Sequence, residues 1–204
     1  MPGYPIELDL TGRRVLVVGL GTVGRRRAEG LVAAGAEVLG VDPVPRDVPQ
    51  GVMTRAEPFR PEHLRDVVLA IASAPPEVNR RVVAAAREAG IWVNAAGGPE
   101  SGTVRIPAVW RDGPLTVSVS TGGASPALAA MVRDWIAEAL GPAPGGLAAL
   151  LAELRPLVHA RVADPARRRR VLADWSDPRW LDLWRDAGPE AVRRRLLAAL
   201  DDER

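Results

Sequence analysis

Residues 13–24 read RRVLVVGLGTVG. A run of branched apolar side chains stops at a glycine, and a loop of small residues follows. The run has no polar alternation, so it predicts a strand buried on both faces, as in a parallel sheet covered by helices. The loop fits G-x-G-x-x-G through Gly19, Gly21 and Gly24. RRRAEGLVAAGA then reads as a helix closing near Gly35, and EVLGVD (37–42) reads as a second strand. Asp42 ends that strand 23 residues after Gly19, close to the spacing of about 20 found in dinucleotide-binding units.

In that setting each glycine has a physical task. Gly19 permits the tight turn, Gly21 lets backbone approach a pyrophosphate, and Gly24 lets the helix pack on the strand. The free N–H groups of Thr22, Val23 and Gly24 at the helix start would meet the phosphates. Asp42 accepts from both ribose hydroxyls and repels a 2′-phosphate, which favours NAD over NADP. Arg25, Arg26 and Arg46 lie near enough in sequence to soften that exclusion.

Working outward, GVMTRAEPF (51–59), DVVLAIAS (66–73) and IWVNAA (91–96) predict further strands, and PEVNRRVVAAAREAG (76–90) a helix closed by Gly90. Strands alternating with helices predict an α/β fold, a Rossmann-like parallel sheet domain. Ser73 and Ala74 end the fourth strand, at the carboxyl edge where such sheets bind ligands. Asn94 ends the fifth and is placed to orient either a nicotinamide or its own turn. Beyond residue 100 the pattern changes. Residues 103–121 give two extended segments around the turn RDGP, and 125–140 a helix with Ser125 as N-cap and Pro126 at its first position. GPAPGG (141–146) reads as a linker. Residues 147–200 are helical, with starts marked by Pro165, Pro178 and Pro189. Four of the six tryptophans fall between 135 and 184, which predicts aromatic anchors in that helical part.

Composition narrows the chemistry. There is no cysteine, so disulfides and thiolate chemistry are excluded. There is no lysine either; all 27 basic residues are arginine, which removes Schiff-base chemistry and suits carboxylates or phosphates. Net charge is only +2, and the run ARRRRV (166–171) lacks interleaved aromatics, so no nucleic-acid partner is expected. No apolar run approaches the roughly 18–20 residues that cross a bilayer. The opening MPGYPIELDL has an acid where a signal peptide carries basic residues. A cytoplasmic chain without membrane partners is the expectation. His63 and His159 stand apart with no further ligand at metal spacing, so no metal site is expected.

Several stretches together resemble the precorrin-2 dehydrogenase family, which also forms the N-terminal module of siroheme synthase. They are PIELDLTGRRVLVVGLGTVGRRRAEGLVAAGAEV, LAIASAPPEVNRRV and WVNAAGGPESGTVRIPAVWRDGPLTVSVSTGGASPALA. The resemblance spans about residues 4–140, and the segment TGGASPALA (121–129) carries it most specifically. It implies NAD-dependent oxidation of precorrin-2 to sirohydrochlorin, on the route to siroheme or cobalamin. It also implies a homodimer, and three parts: an NAD-binding domain (1–112), a dimerisation region (113–146) and a helical C-terminal domain (147–204). The tetrapyrrole substrate carries many carboxylates, and the helix start at Gly122, Gly123 and Ser125 is a candidate binding point for one. Some members of the family also insert a metal.

One position departs from the family pattern. Aligning Asn94 and Pro99 with the family's asparagine and proline puts Gly97 where an aspartate assigned to proton transfer is expected. The departure weighs against metal insertion here and leaves three readings of the oxidation. Glu100 substitutes as the base; no protein base is needed and the proton goes to water or a substrate carboxylate; or the chain is a non-oxidising NAD- or tetrapyrrole-binding protein, a chelatase subunit or a sensor. The residues favour the second, then the first, then the third.

Overall fold

The structure, a computed structural model, describes residues 3–96 and 102–202. The chain divides into two compact units, Met1–Ile106 and Pro107–Arg204.

The first unit holds a five-stranded parallel sheet. Its strands are β1 (Arg14–Val18), β2 (Glu37–Val41), β3 (Val52–Arg55), β4 (Val67–Ala72) and β5 (Trp92–Ala95), in the spatial order β3-β2-β1-β4-β5. Helices α1 (Thr22–Ala33) and α2 (Pro76–Glu88) cover opposite faces. The side-chain alternation of β1 shows why its sequence has no polar positions. Val15 and Val17 pack with Ala28 of α1, whereas Leu16 and Val18 pack with Val82, Val83 and Ala86 of α2. The order reverses between β1 and β4, and at such a switch point the carboxyl ends of the strands open a crevice.

The alternation of strands and helices lapses at two successive connections. β2 passes to β3 through the loop 42–51 with no helix, and β3 reaches β4 through only a 3-10 turn, Pro61–Leu64. The cause is local: Pro43, Pro45 and Pro49 remove donors across the first connection, and Pro58 and Pro61 punctuate the second.

The second unit opens with an antiparallel hairpin, β6 (Ala108–Asp112) and β7 (Leu115–Val119), turning at Gly113 and Pro114. Helix α3 (Pro126–Leu140) packs on it, followed by α4 (Ala143–Arg161), α5 (Pro165–Asp174) and α6 (Arg179–Asp202). α6 breaks at Gly188, where φ is +79°, so it is two helices joined before Pro189. The buried residues of α4 (Leu147, Leu150, Leu154, Val158) and of α6 (Val192, Leu196, Leu200) recur at helical spacing and face one another in one cluster. Trp175 and Trp180 are buried in that cluster, and the Trp180 indole N–H donates to Asp174 O at 2.8 Å.

GPAPGG corrects the sequence reading. Residues 143–146 are not a linker but the first turn of α4. A Cβ on Gly145 would collide with Asp112 of the hairpin, and one on Gly146 with the Trp184 ring. The glycines are there for close packing.

Candidate functional site

The glycine loop is built by contact with the neighbouring strand end. The N–H of Gly19 donates to Val41 O at 2.9 Å, extending the sheet by one residue. Its φ is +86°, and a Cβ there would lie 2.6 Å from Ser73 O and 2.7 Å from Ala74 N. Both the dihedral and the space therefore require glycine. A Cβ on Gly24 would run into Gly19 O, so α1 starts hard against the end of β1. Gly21 is the N-cap of α1 and offers no side-chain cap; nothing lies within 4 Å of where its Cβ would be. The first turn of α1 has no acidic residue, so the unpaired N–H groups of Thr22, Val23 and Gly24 keep their positive field.

Asp42 sits opposite. One carboxylate oxygen accepts from Leu20 N at 2.7 Å, the other from Val44 N at 2.8 Å. The side chain thus ties the glycine loop to the loop after β2, and each oxygen retains a further lone pair. Of the nearby arginines, Arg25 is paired with Asp47 at 2.8 Å. Arg26 and Arg46 are exposed and make no ion pair among the described residues.

A cavity of about 500 Å³ opens at the switch point, and its lining includes Gly19, Gly21, Asp42, Val44, Ser73 and Ala74. Five of the residues singled out in the sequence for the dinucleotide therefore share one cavity, and Thr22 and Val23 begin the helix beside it. Ser73 N donates to Val18 O at 2.7 Å, while its buried Oγ has no partner among the described residues. An orphaned hydroxyl, an open space over Gly21 and uncapped helix N–H groups fit NAD.

Residues 102–104 lie alongside the end of β5. Asn94 bridges Gly102 in antiparallel fashion, Thr103 N and Val104 N both donate to Val93 O, and the Asn94 side-chain Nδ2 donates to Val104 O at 3.0 Å. The Asn94 side chain is thus engaged with the main chain of Val104. Glu100, the candidate base, and Gly97 lie outside the described residues.

Gly122, Gly123 and Ser125 belong to the second unit. Gly122 and Gly123 have φ of +66° and +94°. The Ser125 hydroxyl accepts from Leu128 N at 3.1 Å, and Thr121 Oγ1 both receives Ser125 N and donates to Ser125 O at 3.0 Å. The segment is a self-braced helix start.

His63 is buried and is not among the residues that line the cavity. Its Nδ1 accepts from Arg60 N at 3.1 Å, so Nε2 carries the hydrogen and donates to Glu57 at 3.0 Å. That bond holds the Glu57 carboxyl below its ordinary range. Among the described residues no three potential metal ligands cluster.

Sequence reasoning missed Asn79. It is one of two buried polar residues, with His63, among those described. Its Oδ1 accepts from Ala74 N at 3.0 Å and its Nδ2 donates to Ala96 O at 3.1 Å. The signal was in the sequence: Asn79 occupies the first place of the apolar stripe Val82, Val83, Ala86 on α2.

The fold and this cavity define a dinucleotide-binding protein of the Rossmann type. Residues 6–108 match the model of a putative NAD(P)-binding family, and residues 112–139 that of the central part of a sirohaem biosynthesis protein. The chain belongs to the precorrin-2 dehydrogenase family, shared with the N-terminal module of siroheme synthase. It is 37% identical over 177 residues to a siroheme synthase of Nitrosomonas europaea, covering 83% of this chain and 37% of that one. It is 30% identical over 208 residues to a siroheme synthase of Neisseria meningitidis, covering 98% and 43%. The chain thus spans about two-fifths of the length of these curated relatives. Among solved structures it is similar to SirC, a precorrin-2 dehydrogenase, with a TM-score of 0.79 at 26% identity, over 98% of this chain and 100% of that one.

Proposed function

We propose that the chain oxidises precorrin-2 to sirohydrochlorin with NAD, serving siroheme or cobalamin synthesis. The observation that carries this reading is the end-to-end similarity to SirC. The dinucleotide cradle at the switch point supports it.

In this reading NAD, when bound, takes the hydride that leaves the tetrapyrrole, and one proton leaves with it. The chain's own residues do the rest. The N–H groups of Thr22, Val23 and Gly24 would hold the pyrophosphate, and Gly21 would leave room for it. Asp42 uses its remaining lone pairs for the ribose hydroxyls and opposes a 2′-phosphate. Ser73 and Ala74 wall the cavity, with Ser73 Oγ finding its partner on the cofactor. Asn94 holds the turn after β5, and Gly122, Gly123 and Ser125 hold a substrate carboxylate. The proton goes to water or to a substrate carboxylate, with Glu100 as the competing acceptor. Positioning then carries most of the catalysis. The non-oxidising alternative rests on Gly97 alone and is outweighed by the similarity to SirC over its whole length.

The proposal includes a homodimer formed through residues 103–140, with 1–112, 113–146 and 147–204 as its cofactor, dimerisation and helical parts. On α3, Leu128, Met131 and Trp135 are 45%, 41% and 58% exposed at spacings of three and four residues, an apolar stripe that a second copy would cover. Among the described residues no single helix is long and apolar enough to cross a membrane. A cytoplasmic site of action belongs to the same proposal. Anaerobic incubation with precorrin-2 and NAD, followed for the sirohydrochlorin spectrum, tests the activity.

A further inference from the structure

Asn79 makes contacts that a packing residue does not need. It lies 6% exposed in the first turns of α2, yet both ends of its amide are spent on main chain from different strands. Oδ1 takes the N–H of Ala74, just past β4; Nδ2 gives to the carbonyl of Ala96, just past β5. Ala96 N in turn donates to Ala72 O at 2.9 Å, so the two strand ends are already paired and Asn79 locks them one step further out. The peptide joining Ser73 to Ala74 is also the surface on which the glycine loop rests, since a Cβ on Gly19 would lie 2.6 Å from Ser73 O and 2.7 Å from Ala74 N. The N–H that Asn79 holds therefore belongs to the peptide that supports Gly19. Gly19, Gly21, Ser73 and Ala74 line the same cavity.

We propose that Asn79 is a positioning residue for the dinucleotide: its Oδ1, through Ala74 N–H, fixes the support of the phosphate-binding loop. The proposal rests on the reading of this cavity as the NAD site. It concerns affinity for NAD and is independent of which substrate is oxidised. Without the acceptor, the Ala74 N–H is left unpaired and the Ser73–Ala74 peptide turns to find another. Gly19 then loses its support, and the loop must be reordered each time NAD binds.

The test compares Asn79→Ala with Asn79→Asp in the full chain, measuring NAD binding by calorimetry and unfolding by heat. Alanine removes the acceptor and is expected to weaken NAD about tenfold, the equivalent of one hydrogen bond. Aspartate keeps an oxygen for Ala74 N–H whether or not it is ionised, and is expected to stay within about threefold of wild type. Stability should not follow that order, because a buried carboxyl costs at least as much as a small cavity. A role in packing alone would instead make NAD affinity follow stability, or leave it unchanged in both variants; either result overturns the proposal. Amide exchange at Ala74 in the NAD-free wild type needs no variant. Protection is expected, and fast exchange would overturn the proposal even if Asn79→Ala did not fold. Wild-type chain that binds no NAD would overturn the cavity reading and this inference with it. Wild-type binding with equal affinity in all three proteins would sink the inference alone.

Discussion

Replacing Asp42 by alanine separates the task the structure shows for that side chain from the one the proposed function assigns to it. One is internal: two charge-assisted hydrogen bonds, from Leu20 N at 2.7 Å and Val44 N at 2.8 Å. The other is the ribose. A carboxylate and a 2′-phosphate about 5 Å apart, in surroundings between water and a protein surface, repel by about 1–3 kcal/mol. That is a selectivity of roughly 5- to 150-fold. Asp42→Ala removes this repulsion. The expected result is weaker NAD binding and a shift of the NAD-to-NADP affinity ratio towards NADP of at least fivefold. Titration calorimetry with both dinucleotides reads it. Loss of the loop tie lowers both affinities together, so only the ratio reports on the ribose. An unchanged ratio would refute the placement of Asp42 at the ribose, however much both affinities fell.

Three further outcomes are expected. If the proton goes to water or substrate, Glu100→Gln leaves turnover nearly unchanged and Gly97→Asp raises it; a loss of about 10²-fold or more in Glu100→Gln would assign the base to Glu100 instead. Trp135→Asp puts a charge into the exposed stripe of α3 and should convert a dimer to monomer in light scattering at micromolar concentration; an unchanged mass would place the interface elsewhere. Glu57 has a lowered folded pKa through its bond from His63, so its contribution to stability is present above the unfolded value of about 4.3 and is lost as pH falls through the folded one. Melting temperature should therefore drop more steeply on acidification in wild type than in Glu57→Gln, and parallel curves would contradict the pairing.

The parts of this molecule that were legible from sequence are those fixed by neighbours along the chain. β1, the glycine loop and α1 follow from one continuous stretch, residues 13–36. The α3 start follows from Ser125 and Pro126, and its hydroxyl does cap Leu128 N. Proline starts and the Gly188 break of the last helix were readable for the same reason. What was missed depends on partners far away in the chain. Gly145 and Gly146 look like linker residues until Asp112 and Trp184 are seen against them. Asp42 could be placed at a ribose by its spacing, but its grip on Leu20, 22 residues away, is a fact of the folded loop. Asn79 breaks an apolar stripe, and only the fold shows that Ala74 and Ala96 wait on either side of it. The stripe on α3 is a third case: Trp135 was expected among the aromatic anchors, whereas Trp175 and Trp180 are buried and Trp135 is 58% exposed.

The central claim is tested most directly by stoichiometry under anaerobic conditions. Purified chain is given precorrin-2 and excess NAD, and NADH and sirohydrochlorin are followed in the same cuvette. The account predicts that the two appear together, one for one, and that omitting NAD stops both. Tight binding of NAD and of the tetrapyrrole with neither product formed would contradict it, and would make the chain a binding protein on a dehydrogenase fold.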